Sequence, residues 1–101
     1  MFVLYGSIEI FLPYSGSLKE KRKTINSIVD RLRKRVNISI SEVAYNDLWQ
    51  RAALGFAAVS SSNSELEKFI TYINDTLFNY FSDIEITRFD YEIITSDYHS
   101  E

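Results

Sequence analysis

An α+β sandwich, four antiparallel strands in one sheet with two helices on one of its faces, is predicted for this 101-residue chain by three features. Period-two alternation of apolar residues opens the chain, and two segments carry helical stripes behind clear start signals. Between them lies a run that is apolar on both parities, Ala52 to Val59, which needs cover on both faces.

Taken in order, Phe2, Leu4, Ile8, Ile10 and Leu12 share one parity, so the first strand runs from Phe2 to Leu12. Pro13 has no backbone donor and Gly16 tolerates unusual dihedrals, so the chain leaves the sheet there. Ser17 and Glu20 have the spacing of a capping box, in which each side chain satisfies a free amide of the other. At about 100° per residue, Leu18, Ile25, Ile28, Val29, Leu32 and Val36 form one buried stripe. A second strand is expected over Ile38 to Tyr45, with Asn46 and Asp47 turning into a hairpin. The third strand, Leu48 to Val59, is apolar on both sides and belongs in mid-sheet. Ser62, Asn63 or Ser64 caps a second helix that ends near Phe81, with Leu66, Phe69, Ile70, Ile73 and Leu77 on its inner face. The last strand spans Ile84 to Ile94, and its change of apolar parity between Ile86 and Phe89 predicts a bulge near Thr87 and Arg88. The order is βαββαβ, and right-handed crossovers place both helices on one face. That is the ferredoxin-like sandwich, expected as a single domain over residues 1–95 with a tail at 96–101.

The chain has no cysteine, which removes disulfides, thiolate metal sites and thiol nucleophiles. No stretch approaches the roughly 20 apolar residues of a membrane span, and the start lacks a signal-peptide pattern, so a cytoplasmic protein without membrane contact is expected. The only histidine, His99, stands in the tail, where it makes no fixed base. The glycines at 6, 16 and 55 form no phosphate loop. An enzyme anchoring a phosphorylated small molecule on Arg22 or Arg51 would lack a nucleophile or base, so no catalysis, cofactor, metal or small-molecule substrate is expected.

Charge is distributed unevenly. Residues 17–35 hold eight of the eleven Lys and Arg side chains and only Glu20 and Asp30 as acids, in a protein whose formal charge is −3. Lys19, Arg22, Lys23, Arg33 and Lys34 gather around Asn26 on the side away from the apolar stripe. Such a face can follow a phosphate backbone, although a solvated helix surface has the same composition. Lys21 differs: it projects into the apolar arc, where its stem can pack while its ammonium reaches past the end of the sheet. A second cluster, Asp47 to Arg51, offers Trp49 for stacking and Arg51 for a phosphate or carboxylate, or else packs on its own sheet. The sheet face opposite the helices is expected to show Tyr5, Phe11, Ala53, Gly55 and Ala57, with Trp49 nearby, and to need a covering partner.

SLKEKR at 17–22, NISISEV at 37–43 and DLWQRAALG at 47–55 resemble the YlxP family of small bacterial proteins, a domain of unknown function, over about 95 residues. The resemblance implies a ferredoxin-like fold. Members are often encoded beside translation-initiation and ribosome-maturation factors, so it also implies contact with RNA or the ribosome. The matching positions are Lys19, Lys21, Arg22, Asp47, Trp49, Gln50 and Arg51, with no established role for any of them. The expected function is a non-enzymatic module that binds structured RNA or the ribosome through Lys19, Lys21, Arg22, Lys23, Arg33, Lys34 and Arg51. The alternative is a homodimeric protein-interaction module using Tyr5, Phe11, Trp49, Ala53, Gly55 and Ala57, with no nucleic acid.

Overall fold

The computed structural model describes residues 1–97, so His99 and the rest of the tail beyond 97 lie outside it. It contains β1 (Phe2–Phe11), α1 (Leu18–Arg35), β2 (Ser39–Ala44), β3 (Arg51–Ser60), α2 (Asn63–Tyr80) and β4 (Glu85–Thr95). The strands form one antiparallel sheet in the order β2-β3-β1-β4, which is the ferredoxin-like arrangement. β3 starts later than its apolar pattern implies, because Leu48, Trp49 and Gln50 belong to the hairpin and not to the ladder.

Both helices start where their caps place them. Ser17 and Ser62 adopt extended dihedrals, and each hydroxyl accepts the amide three residues on, from Glu20 at 3.1 Å and from Glu65 at 3.3 Å. The return arm of the first capping box lands one residue early: the Glu20 carboxylate accepts from the Gly16 amide at 2.8 Å, not from Ser17.

Leu4, Ile8 and Ile10 of β1, Ala52, Leu54 and Phe56 of β3, Ile25, Ile28 and Leu32 of α1, and Leu66, Ile73 and Leu77 of α2 close the core. Gly6 sits in this layer, opposite Phe56 on one side and Tyr91 on the other. A side chain there would come within 2.6 Å of the Phe56 ring and 2.4 Å of the Asp90 carbonyl. The missing Cβ is what admits the aromatic row Phe56–Phe89–Tyr91, whose ring centroids stand 6.1 and 6.2 Å apart. The bulge in β4 falls at Thr87, between the Glu9–Arg88 and Ile10–Ile86 pairs, as the parity change predicts. A second register shift, around Val43 of β2, has no counterpart in the sequence pattern.

Candidate binding surfaces

The expected sites lie on opposite sides of the sheet: α1 covers one side, while Tyr5, Phe11, Ala53, Gly55 and Ala57 belong to the other. Along α1 the eight basic residues divide into groups with different work. Arg31 stacks on the Tyr80 ring of α2 at 4.0 Å and Arg35 on Tyr72 at 5.3 Å, so both are drawn into the seam between the helices. Arg33 donates to the carbonyl of Ile40 at 2.9 Å, capping the edge strand β2, so one arm of its guanidinium is committed to the fold.

Lys21 is not available to a phosphate, which corrects its place among the expected nucleic-acid contacts. It is fully buried, and its ammonium donates to the carbonyls of Tyr45 at 2.7 Å, Arg51 at 3.0 Å and Asn46 at 3.4 Å. The Glu42 carboxylate lies 2.8 Å away, off the direction of a hydrogen bond, and acts as the counter-charge. The lysine therefore ties the first turn of α1 to both ends of the β2–β3 hairpin. Tyr45 holds φ at 62°, a left-handed conformation that is strained for a bulky residue. Its carbonyl accepts from Lys21 and, at 3.0 Å, from the Leu48 amide, and these bonds offset the strain.

Lys19, Arg22, Lys23 and Lys34 remain. All are exposed, and among the described residues no carboxylate lies within 4.0 Å of any of them. Lys23 and Lys34 border a shallow open groove along the outer side of α1, with Asn26, Ser27 and Asp30 between them and the tyrosine-stacked Arg31 and Arg35 along its other margin.

The hairpin tip is the second surface. Gln50 binds it to the end of β1, its side-chain amide donating to the Pro13 carbonyl at 3.0 Å while its own carbonyl accepts from Leu12 at 2.8 Å. Leu48 and Trp49 stand half-exposed beside Phe11 and Arg51. Arg51 is held by its neighbours: its guanidinium lies 4.1 Å over the Tyr45 ring and 3.9 Å from Glu9, whose carboxylate also accepts from the Tyr45 hydroxyl at 3.3 Å.

The open sheet face is apolar only in part: Val43, Val59 and Ile94 stand exposed on it with Tyr5 and Ala57, while the rest is charged. Glu9, Arg51, Arg88, Asp90 and Glu92 cross it in register, Arg88 pairing with Asp90 and the Tyr5 hydroxyl donating to Glu92. Ala53 is buried, and Val43 covers Gly55. Tyr5 and Ala57 are exposed between these charges and the apolar row of Val59, Val3 and Ile94. Sequence parity places these residues correctly; it misses that β4 contributes charges to their neighbourhood.

Among the described residues no group of three or more His, Cys, Asp or Glu could hold a metal ion, and no helix is long and apolar enough to cross a membrane. Residues 3–91 match the family model described as a protein of unknown function, DUF503. The chain belongs to this family. The uncharacterized protein YlxP of Bacillus subtilis (strain 168) is 45% identical over 64 residues, which are 63% of this chain and 70% of YlxP. A crystal structure titled as a dimeric ferredoxin-like protein, from an uncultured marine organism, superposes with a TM-score of 0.51 at 14% identity. That match covers 97% of this chain and 99% of the other, and it supports the fold alone.

Proposed function

We propose that this DUF503 member is a non-enzymatic binding module that lays the outer side of α1 on structured RNA, with the ribosome as its setting. One observation carries the reading: Lys19, Arg22, Lys23 and Lys34 are exposed on one helix of an acidic protein, without a carboxylate within 4.0 Å among the described residues. A surface built for solubility mixes both signs, whereas unpaired cations of one sign attract a polyanion. At about 1.5 Å per residue the four span roughly 22 Å of helix, long enough to follow successive phosphates. Contacts of this kind position the protein without reading sequence, so recognition rests on RNA shape.

The test is co-sedimentation with ribosomes and structured RNA at low salt. Loss of binding in the Lys23→Glu/Lys34→Glu variant supports the proposal, and unchanged binding overturns it. Pull-down with and without nuclease then separates an RNA target from an acidic protein.

A second reading, self-association, is favoured by the half-exposed Leu48 and Trp49 beside Phe11 and by the dimeric fold neighbour. It needs no nucleic acid, and a monomer in sedimentation equilibrium at micromolar concentration counts against it.

A further inference from the structure

The two edges of the sheet are treated differently. β2 is six residues long, is interrupted around Val43, and has the Ile40 carbonyl capped by Arg33. Those are common devices for closing an edge to further pairing. β4 is eleven residues long and contains neither proline nor lysine, and its own bulge at Thr87 still leaves Arg88 to Thr95 as regular ladder. None of its residues is buried, including the apolar ones that face the helices.

The direction of its free backbone groups follows from the end of the ladder. Met1 and Ser96 exchange two backbone hydrogen bonds, at 2.8 and 3.1 Å. By antiparallel alternation the groups of Ile94, Glu92 and Asp90 also point toward β1, and those of Phe89, Tyr91, Ile93 and Thr95 point out of the sheet. Beside this row stands Phe78 of α2, 73% exposed, with Phe81 and Ile86 lining the groove between helix and strand.

We propose that the β4 edge is a homotypic docking surface, on which a second copy of this chain adds its own β4 antiparallel to the first. The two sheets then run on as one. The charges of β4 select both occupant and register. With Asp90 on the two-fold axis, Arg88 of each copy faces Glu92 of the other, and the Arg88 pair flanks the two Asp90 carboxylates. Phe89 of each copy then exchanges backbone bonds with Tyr91 of the other, and the rings meet across the new strand pair. Moving the axis to Tyr91 sets Asp90 against Glu92 twice. Moving it to Phe89 brings the bulge at Thr87 one pair closer, opposite Tyr91 instead of Ile93, and leaves only Arg88 to Asp90 in regular pairing. Of these three registers the Asp90 one gives two Arg88–Glu92 pairs and keeps Arg88 to Glu92 clear of the bulge, with the Arg88 guanidinia offsetting the facing Asp90 pair, so β4 is complementary to itself over that stretch.

Sedimentation equilibrium of the full chain up to about 100 µM, with circular dichroism to verify folding, tests the proposal. A dimer is expected, as is its conversion to monomer by Tyr91→Lys and by Arg88→Glu. The Arg88→Glu/Asp90→Arg/Glu92→Arg triple variant, which inverts every charge of the pairing, restores it. Trp49→Ala leaves the β4 dimer intact but breaks one built on the hairpin tip. Should Tyr91→Lys fail to fold, the exposed Arg88→Glu and the charge-inverted triple variant decide alone. A monomer throughout the range, or a dimer that survives Arg88→Glu, overturns the inference.

Discussion

The ammonium of Lys21 lies 2.8 Å from the carboxylate of Glu42 in a site where the lysine has no exposure at all. A buried pair of this kind gives little net stability against an apolar substitute, but removing one partner strands the other. Lys21→Met keeps the packed stem and removes the charge, leaving Glu42 without its counter-charge and the Tyr45 and Arg51 carbonyls without their donor. The expected loss is about 3 kcal/mol, read as a lower urea midpoint at unchanged slope. Adding Glu42→Leu should recover part of it, with a coupling of about 1 kcal/mol or more in the double-mutant cycle.

Gly6 and Gly55 are both strand glycines, and their replacements should differ. A Cβ at Gly6 meets the Asp90 carbonyl at 2.4 Å and the Phe56 ring at 2.6 Å, so backbone of the neighbouring strand must move. Gly6→Ala is expected to cost about 2–3 kcal/mol. At Gly55 the nearest obstacle is a methyl of Val43 at 2.9 Å, on an exposed side chain of an edge strand that can rotate away. Gly55→Ala should stay within about 1 kcal/mol of the parent. Thermal unfolding of the two variants side by side makes the comparison.

The fold was legible because its signals are local: two serine caps, period-two strands, and a parity change that marks the Thr87 bulge. The Lys21–Glu42 pair was half legible. Lys21 occupies the apolar arc of α1, and Glu42 shares the parity of Ile38 and Ile40, so each is a charge on an inward face. Joining them required knowing that α1 packs against β2. The set of cations offered to a partner was overcounted at Lys21 for the same reason, since a helical wheel cannot show that the Tyr45, Asn46 and Arg51 carbonyls take up its ammonium. The polarity of the open face depends on which β4 residues oppose β1, a long-range register that no local pattern contains.

Tyr5 should titrate above the ordinary tyrosine range. Its hydroxyl donates to the Glu92 carboxylate, and that bond, reinforced by the nearby negative charge, favours the neutral phenol. Because the pKa is raised on folding, the stabilisation is fully present below the unfolded value near 10 and disappears as pH rises through the folded one. Glu92→Gln removes the charge and should lower the Tyr5 pKa. A pH titration followed at the Tyr5 ring carbon by NMR reads this shift directly, and an unchanged midpoint in the variant would assign the raised pKa to another cause.

Arg31 and Lys34 separate cations that hold the fold from cations offered to a partner. Arg31 lies over the Tyr80 ring, so Arg31→Ala is expected to loosen the join between the helices by about 0.5–1 kcal/mol. Lys34 is exposed and has no carboxylate within 4.0 Å among the described residues, so Lys34→Ala should leave stability within about 0.5 kcal/mol. RNA affinity orders them the other way. If Lys34 meets a phosphate, its removal flattens the plot of log affinity against log salt by about 0.7–0.9 and weakens binding similarly across RNA sequences. Arg31→Ala should flatten the slope less than Lys34→Ala, because its guanidinium borders the outer groove but is stacked on Tyr80. Measuring the slope from 50 to 200 mM salt for both variants, with urea unfolding in parallel, places each cation in one class. An equal loss of slope in both would mean that the tyrosine-stacked arginines also reach the partner, and the division of α1 drawn from the structure would have to be redrawn.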